Sequence, residues 1–384
     1  MIRDLQTHRL FLDTVTRFVR ECLIPAEEEV AQTDAIPQRI VDQMRSMGLF
    51  GLTVPEEFGG LGVTTEEEVL LTFELTQASP AFRSIVGTNN GIGAQGILIA
   101  GTAEQKAKYL PRLASGELIG AFALTEPGAG SDAASLTTSA QRNADHYLVN
   151  GTKRYITNAP EAGVFTLMAR TGGPGAAGVS AFIVESGIPG ITVGKPDRKM
   201  GQRGAHTADV IFEDCRVPLE DLLGEEGRGF AIAMKVLDKG RLVIAAACVG
   251  AATRMLADTL RYTLERKQFG QPIGEFELVQ ALIADSQAEL YAGRCMVLDA
   301  ARRRDEGQDI SLHASCCKLY ASEMCGRVAD RCVQAHGGAG YISDYAIERF
   351  YRDVRLFRIF EGTTQIQQII IGRGLARQKC VIAL

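Results

Sequence analysis

The stretch Tyr147-Leu148-Val149-Asn150-Gly151-Thr152-Lys153-Arg154-Tyr155-Ile156-Thr157 carries two β-rich runs, Tyr147–Val149 and Arg154–Thr157, on either side of an Asn-Gly pair. Asn-Gly accepts the positive φ angles of a tight hairpin, so the spacing predicts two strands joined at Asn150-Gly151. Further strand-like runs lie at Ala121–Leu124, Val164–Met168, Val179–Val184 and Asp209–Phe212, separated by Gly-rich turns such as Gly172-Gly173-Pro174-Gly175. Short strands at this spacing predict an antiparallel β-barrel or sandwich.

Outward from that centre the period becomes helical. Phe11, Val15, Phe18, Val19 and Cys22 recur at helical spacing, and Pro25 is expected to end that helix because it lacks the N–H that would continue it. Pro37 opens a second helix with Ile40, Met44 and Met47 on one face and Gly48 as its stop; Thr102-x-x-Gln105 reads as a capping box opening another. Beyond residue 226, long helical patterns run near 228–264, 277–305, 311–335 and 364–377, which predicts a bundle. Segregated runs of helices, strands and helices argue an α+β protein. Its expected parts are an N-terminal helical domain (1–117), a central β domain (118–225) and a C-terminal four-helix bundle (226–384).

The chain of 384 residues is 46% hydrophobic and 23% charged, the balance of a folded globular protein. A net charge of −5 argues against nucleic acid or an anionic membrane as partner. The longest uninterrupted apolar run, Leu242–Ala252, falls short of the roughly 20 residues of a membrane span. Met1-Ile2-Arg3-Asp4 leads into an amphipathic pattern rather than a secretory signal, which makes the cytoplasm the expected location. Nine cysteines without a Cys-x-x-Cys pair or metal-ligand spacing read as reduced structural thiols, with no metal site expected.

Two constellations could carry chemistry. Leu124-Thr125-Glu126-Pro127-Gly128-Ala129-Gly130-Ser131-Asp132 runs from a strand into a Gly-rich turn whose backbone N–H groups and hydroxyls can meet a polar ligand, although an ordinary surface turn has the same composition. It lacks Gly-x-Gly-x-x-Gly spacing. Near the C-terminus, Gln334-Ala335-His336-Gly337-Gly338 precedes Phe360-Glu361-Gly362-Thr363-Thr364-Gln365. Glu361 is either a solvated surface carboxylate or, between Phe360 and a glycine, a base whose pKa is raised by apolar neighbours.

Taken together, these segments resemble the acyl-CoA dehydrogenase family over nearly the whole chain. The resemblance is carried by Pro55-Glu56-Glu57-Phe58-Gly59-Gly60, Phe122 through Asp132, Tyr155-Ile156-Thr157-Asn158, Asp238-Lys239-Gly240-Arg241, Arg266-Lys267-Gln268-Phe269-Gly270, Gln334 through Gly338, and Glu361 through Thr364. It implies non-covalent FAD, usually a homotetramer, and dehydrogenation of an acyl-CoA thioester to the trans-2-enoyl product. An electron-transfer flavoprotein is the implied electron acceptor. Glu361 matches the catalytic base that removes the α-proton while hydride passes to flavin N5, and its backbone N–H matches part of the oxyanion hole. One branch of the family carries its base at the residue before the Asp-x-x-Arg arginine; here that is Gly240, which makes the isovaleryl-type branch unexpected.

The resemblance extends to binding residues. Phe122, Leu124, Thr125, Gly130 and Ser131 match the flavin loop, with Ser131 shared with the thioester. Tyr155, Ile156 and Thr157 match the segment against the flavin, Tyr155 standing where Trp is frequent. Asp238, Arg241 and Gly362 match positions near substrate, although Asp238 and Arg241 also suit a structural ion pair. Arg266, with Gln268 and Phe269, matches the segment one subunit lends to the FAD of its neighbour; Gln334, Gly337 and Gly338 match a cradle for the ADP half. Thr363, Thr364 and Gln365 match the contacts after the base. Glu277 stands where the pattern supplies a Gln amide near FAD, and His336 is expected to pack rather than act as a base.

Alternatives within the same fold are dehydrogenation of a carrier-protein thioester, an oxidase that hands electrons to oxygen, and a non-catalytic flavin-binding relative. The small residues between Ser84 and Gly96 either leave room for a bulky acyl group or permit close helix packing.

Overall fold

The computed structural model describes residues 1–377, with helices at both ends and a sheet between them. Seven α-helices make the N-terminal part: Leu5–Phe18, Ile24–Thr33, Gln38–Ser46, Thr65–Leu75, Pro80–Thr88, Gln95–Ala100 and Ala103–Ser115. Gly48 ends the third of these in a left-handed conformation (φ 72°), as its position predicts. Thr102 and Gln105 form the expected reciprocal capping box. Pro25 does not end the first helix. The chain passes through one π-turn, Val19–Leu23, and resumes as a helix with Pro25 in its first turn, where the missing N–H costs nothing.

The sheet contains β1 (Gly120–Ala123), β2 (Ser139–Arg142), β3 (His146–Thr157), β4 (Val164–Arg170), β5 (Val179–Glu185), β6 (Ile191–Val193), β7 (Thr207–Pro218) and β8 (Leu222–Leu223). Its order is β6-β7-β3-β2-β4-β5-β8, an open path on which most neighbours are antiparallel; β1 pairs with β4 in parallel. The predicted hairpin at Asn150-Gly151 is instead the middle of the single strand β3, and the turn lies upstream, where Asn143 N–H donates to His146 O. β3 has β2 on one edge and β7 on the other, so its ladder runs through the Asn-Gly pair. Gly151 is needed for a close approach: a Cβ there would lie 2.4 Å from Thr138 Oγ1. Both faces of β4 and β5 are buried, so their sequences read as continuous apolar runs rather than alternating ones.

Helices Gly229–Glu265, Glu277–Asp305, Ser311–His336 and Thr364–Arg377 pack as the expected C-terminal bundle, joined by Ala346–Val354, which the Arg-rich sequence concealed. Gly229–Glu265 is long and apolar enough for a membrane span by length and composition, a property the run-length reading missed. Its apolar window is 78% buried within the protein, so it serves as the core of the bundle. Gly250 lets this core helix meet Thr65–Leu75 closely, since a Cβ there would lie 2.0 Å from Thr76 Oγ1. Val69 and Phe73 therefore share the bundle core with Leu242, Val249, Met324 and Phe357. The start of the core helix, through Ile232 and Val236, packs on the sheet beside Phe122 and Val164. Sheet, N-terminal helices and bundle thus meet around the first half of one helix.

Candidate active site

At that meeting point lie two adjoining cavities of about 390 and 670 Å³, which share Thr125, Gly130, Ser131, Tyr155, Thr157, Phe360, Glu361 and Gly362 in their walls. Phe122, Leu124, Ile156 and Arg241 line the first and Thr363 the second. Residues far apart in sequence are brought together by β1, the end of β3, the core helix and the loop before Thr364–Arg377.

Each wall is built by a local device. Buried Glu126 anchors the Gly-rich turn from behind: it accepts hydrogen bonds from Thr137 N, Thr137 Oγ1, Thr138 N and Lys153 Nζ, the last at 2.7 Å. Lys153 Nζ also donates to Leu124 O. Burial alone would raise the Glu126 pKa, but the charge and hydrogen bond of Lys153 outweigh it and hold the carboxyl at about 2. On β3 a register shift between Lys153 and Ile156 places Tyr155 at φ 59°, a bulge that turns its ring, 59% exposed, out of the ladder.

Glu361 (φ 53°) and Gly362 (φ 90°) are consecutive left-handed residues. For glutamate this is a strained conformation, held by bonds to its carbonyls. Gln367 Nε2 donates to both Glu361 O and Gly362 O, and buried Lys318 donates to Gly362 O at 2.6 Å. The Glu361 backbone N–H meets no acceptor among the described residues. Its Oε2 is shielded from solvent and has no hydrogen-bond partner among the described residues. Burial raises the Glu361 pKa, opposed by the charges of Arg83, Lys318 and Arg241. Gly240 lies directly beneath: a Cβ there would stand 2.2 Å from Oε2. The arrangement is a protected carboxylate beside an open N–H donor, in the wall shared by the two cavities.

Comparison with known proteins bears on what this arrangement serves. The N-terminal, middle and C-terminal domain families of acyl-CoA dehydrogenase match residues 6–117, 121–215 and 227–376. An acyl-CoA dehydrogenase of Bacillus subtilis is 41% identical over 94% of this chain and 96% of its own. The caffeyl-CoA reductase-Etf complex subunit CarC of Acetobacterium woodii is 41% identical over 91% and 93%. The structure of butyryl-CoA dehydrogenase from Megasphaera elsdenii superimposes with a TM-score of 0.95 at 35% identity, covering 98% of this chain and 100% of that one. The chain belongs to the acyl-CoA dehydrogenase family. It is an FAD-dependent oxidoreductase acting on an acyl-CoA thioester.

The cavity walls suit that cofactor. A bulged aromatic ring, Tyr155, faces the space beside Phe122, and the hydroxyls of Thr125 and Thr157 border it without a partner among the described residues. Arg241 lines the cavity, whereas Asp238 does not: it accepts from Arg241 Nη1 at 2.6 Å and from Ser311 Oγ at 2.8 Å, a structural ion pair.

The remaining residues matched to FAD lie away from both cavities. Arg266 follows the core helix, and Gln268 and Phe269 sit on an exposed two-stranded ribbon, the Phe269 side chain 94% exposed. Gln334, Gly337 and Gly338 lie at the end of Ser311–His336, joined to the Arg266 end by Tyr262, whose ring stacks on His336 at 4.3 Å. His336 is packed as expected, its Nδ1 bonded to Cys332 O, with a pKa lowered by burial. Gln365 is exposed, and Glu277 is exposed at the first residue of its helix. Thr364 donates to Glu323 at 2.6 Å.

Arg83, Lys153, Lys318 and Gln367 were not singled out from the sequence. A lysine on a strand and an arginine on a helix read as solvent-facing until the chain folds over them. The small residues of 84–96 divide between the two readings. Gly93 and Gly96 permit close packing on Gly120 and Thr166, while Ser84, Gly87, Thr88 and Ile92 line the cavity.

Proposed function

We propose that Glu361 is the catalytic base for α,β-dehydrogenation of an acyl-CoA thioester to its trans-2-enoyl product. What supports this reading is the position of its carboxylate: water-shielded, unpartnered at Oε2 and aimed over Gly240 into the cavity. Desolvation raises its proton affinity, which suits removal of a weakly acidic α-proton. The unpaired N–H of Glu361 is the donor proposed to meet the thioester oxygen as negative charge develops there. Gln367 and Lys318 hold the next two peptides through Glu361 O and Gly362 O, so carboxylate and N–H act from one anchored turn.

Phe122, Leu124, Thr125, Gly130, Ser131, Tyr155, Ile156, Thr157 and Thr363 are proposed to hold the flavin end of FAD, with Ser131, Arg241 and Gly362 toward the thioester. When bound, FAD supplies the acceptor for the hydrogen lost from Cβ. Arg266, Gln268, Phe269, Gln334, Gly337, Gly338 and Gln365 line neither cavity, which is the placement expected if they serve FAD held by a second copy. This supports a homotetramer in which sites are shared. The domain limits proposed are 1–117, 118–225 and 226–384.

An electron-transfer flavoprotein is the proposed acceptor, supported by the Etf complex in the name of the Acetobacterium woodii relative. The eight described cysteines are all unpaired, in keeping with a reducing, cytoplasmic setting. The test is anaerobic addition of acyl-CoA to the FAD-loaded protein. The yellow absorbance should bleach, and Glu361→Gln should abolish bleaching while retaining FAD. Bleaching that persists in the variant would refute the assignment.

A further inference from the structure

Among the charged side chains of the first cavity, Arg83 stands beside Glu361 without a hydrogen-bonded partner among the described residues. Arg83 lies on the helix Pro80–Thr88 and lines the first cavity together with Glu361, on the side formed by Ser84 and Gly87. It makes no hydrogen bond and no ion pair with any described residue. Desolvation dominates its surroundings and lowers its pKa, with the more distant carboxylates of Glu361 and Glu68 opposing. Glu68 is already paired with Lys239 at 3.2 Å.

The space for this guanidinium is built in. A Cβ on Gly87 would stand 2.3 Å from Arg83 Cζ and 2.4 Å from its Nε, so the planar head lies across the glycine, where any side chain would displace it. Apolar side chains, Ile92, Phe230, Met234 and Leu237, line the same cavity, whose other guanidinium groups are Arg241, paired with Asp238, and Arg373. A neutral alkyl chain filling that space would strip water from Arg83 and leave it no hydrogen-bond partner, with only the charges of Glu361 and Glu68 to offset the loss, a costly arrangement for a buried ion. An acyl chain ending in a carboxylate would instead meet a forked donor set matched to it. That carboxylate would also lie near the acidic Glu361, and Arg83 supplies the counter-charge.

Resting on the dehydrogenation reading, we infer that the substrate is an ω-carboxyacyl thioester, a dicarboxylic acid joined to CoA at one end, and that Arg83 is the residue that selects it. The distal carboxylate is a spectator: the reaction removes a proton from Cα and a hydride from Cβ, and the carboxylate–guanidinium contact fixes where along the chain those carbons stand.

The test uses the FAD-loaded full chain and pairs of probes of equal carbon number: glutaryl-CoA with valeryl-CoA, adipyl-CoA with hexanoyl-CoA. The rate of anaerobic flavin bleaching should favour the carboxylated member of at least one pair by about 10-fold or more in kcat/KM. Arg83→Met should lower that preference by at least about 100-fold, the size expected for loss of a desolvated charge partner. Gly87→Ala, which displaces the guanidinium and keeps its charge, should lower it in the same direction. The visible spectrum of bound FAD verifies that each variant is folded. Preference for the uncharged member of both pairs, or a preference unmoved by Arg83→Met, would overturn the inference and leave the dehydrogenase reading intact. In Glu361→Gln, spectral titration separates binding from turnover. Tighter binding of glutaryl-CoA than valeryl-CoA sustains the role of Arg83 even if no thioester bleaches the parent protein; equal or weaker binding overturns it.

Discussion

The Oε2 atom of Glu361 occupies the place where a side chain on Gly240 would begin, 2.2 Å from its virtual Cβ. The two positions, 121 residues apart in sequence (361 minus 240), therefore compete for the same space in this pocket. Any side chain at 240 must shift the end of Glu361 from its present place.

Gly240→Ala separates catalysis from stability. Gly240 lies inside the helix Gly229–Glu265, where alanine is intrinsically better by about 1 kcal/mol. The added methyl group must push the Glu361 carboxylate aside, and a displacement of about 1 Å costs on the order of 100-fold in rate. The expected outcome is a folded, FAD-retaining protein with kcat reduced by about that factor, read from anaerobic flavin reduction beside a thermal melt.

The pH dependence should follow Glu361. Burial raises its pKa from the ordinary value of 4.5, so the acid limb of kcat should lie above that of a free carboxylate. Arg83 is the leading cause acting in the opposite direction, so Arg83→Met should move the limb to higher pH. The linkage has the matching sign. A carboxyl whose folded pKa exceeds its unfolded one contributes stability below the unfolded pKa and loses it as pH rises through the folded value. Glu361→Gln should therefore be more stable than the parent at neutral pH, measured by denaturant melts at several pH values.

The pair behind the Gly-rich turn carries the opposite dependence. With Glu126 held at about 2, its contribution is present above the unfolded carboxyl value of 4.5 and is lost as pH falls through 2. Lys153→Met leaves Glu126 buried without its cation and should destabilise the protein by about 3–5 kcal/mol. Chemical denaturation at neutral pH measures this, and FAD affinity should fall with it because Lys153 also holds Leu124 O.

Glu277 tests a departure in the sequence. It stands exposed at the first residue of its helix, where a carboxylate favours the helix N-terminus yet can only accept hydrogen bonds. Glu277→Gln should retain FAD as well as the parent or better, followed by flavin fluorescence on dilution. Faster FAD loss in the variant would show that the carboxylate contributes to binding.

Sequence alone determined the order of helices, strands and helices, because the change of apolar period at about residue 118 and its return near 226 are local properties of the chain. It also singled out Glu361 and the turn around Thr125, since both sit in short motifs. Pairing and proximity were beyond it. Whether Asn150-Gly151 turns or continues depends on which strands flank β3, and a proline reads as a helix stop until a π-turn places it in the first turn of a resumed helix, where no N–H is needed. The contact of Gly240 with Glu361, the anchoring of Gly362 by Lys318 and the placing of Arg83 over Gly87 arise only when three parts of the chain close on one helix. Each depends on burial, which no residue possesses until the fold around it is complete.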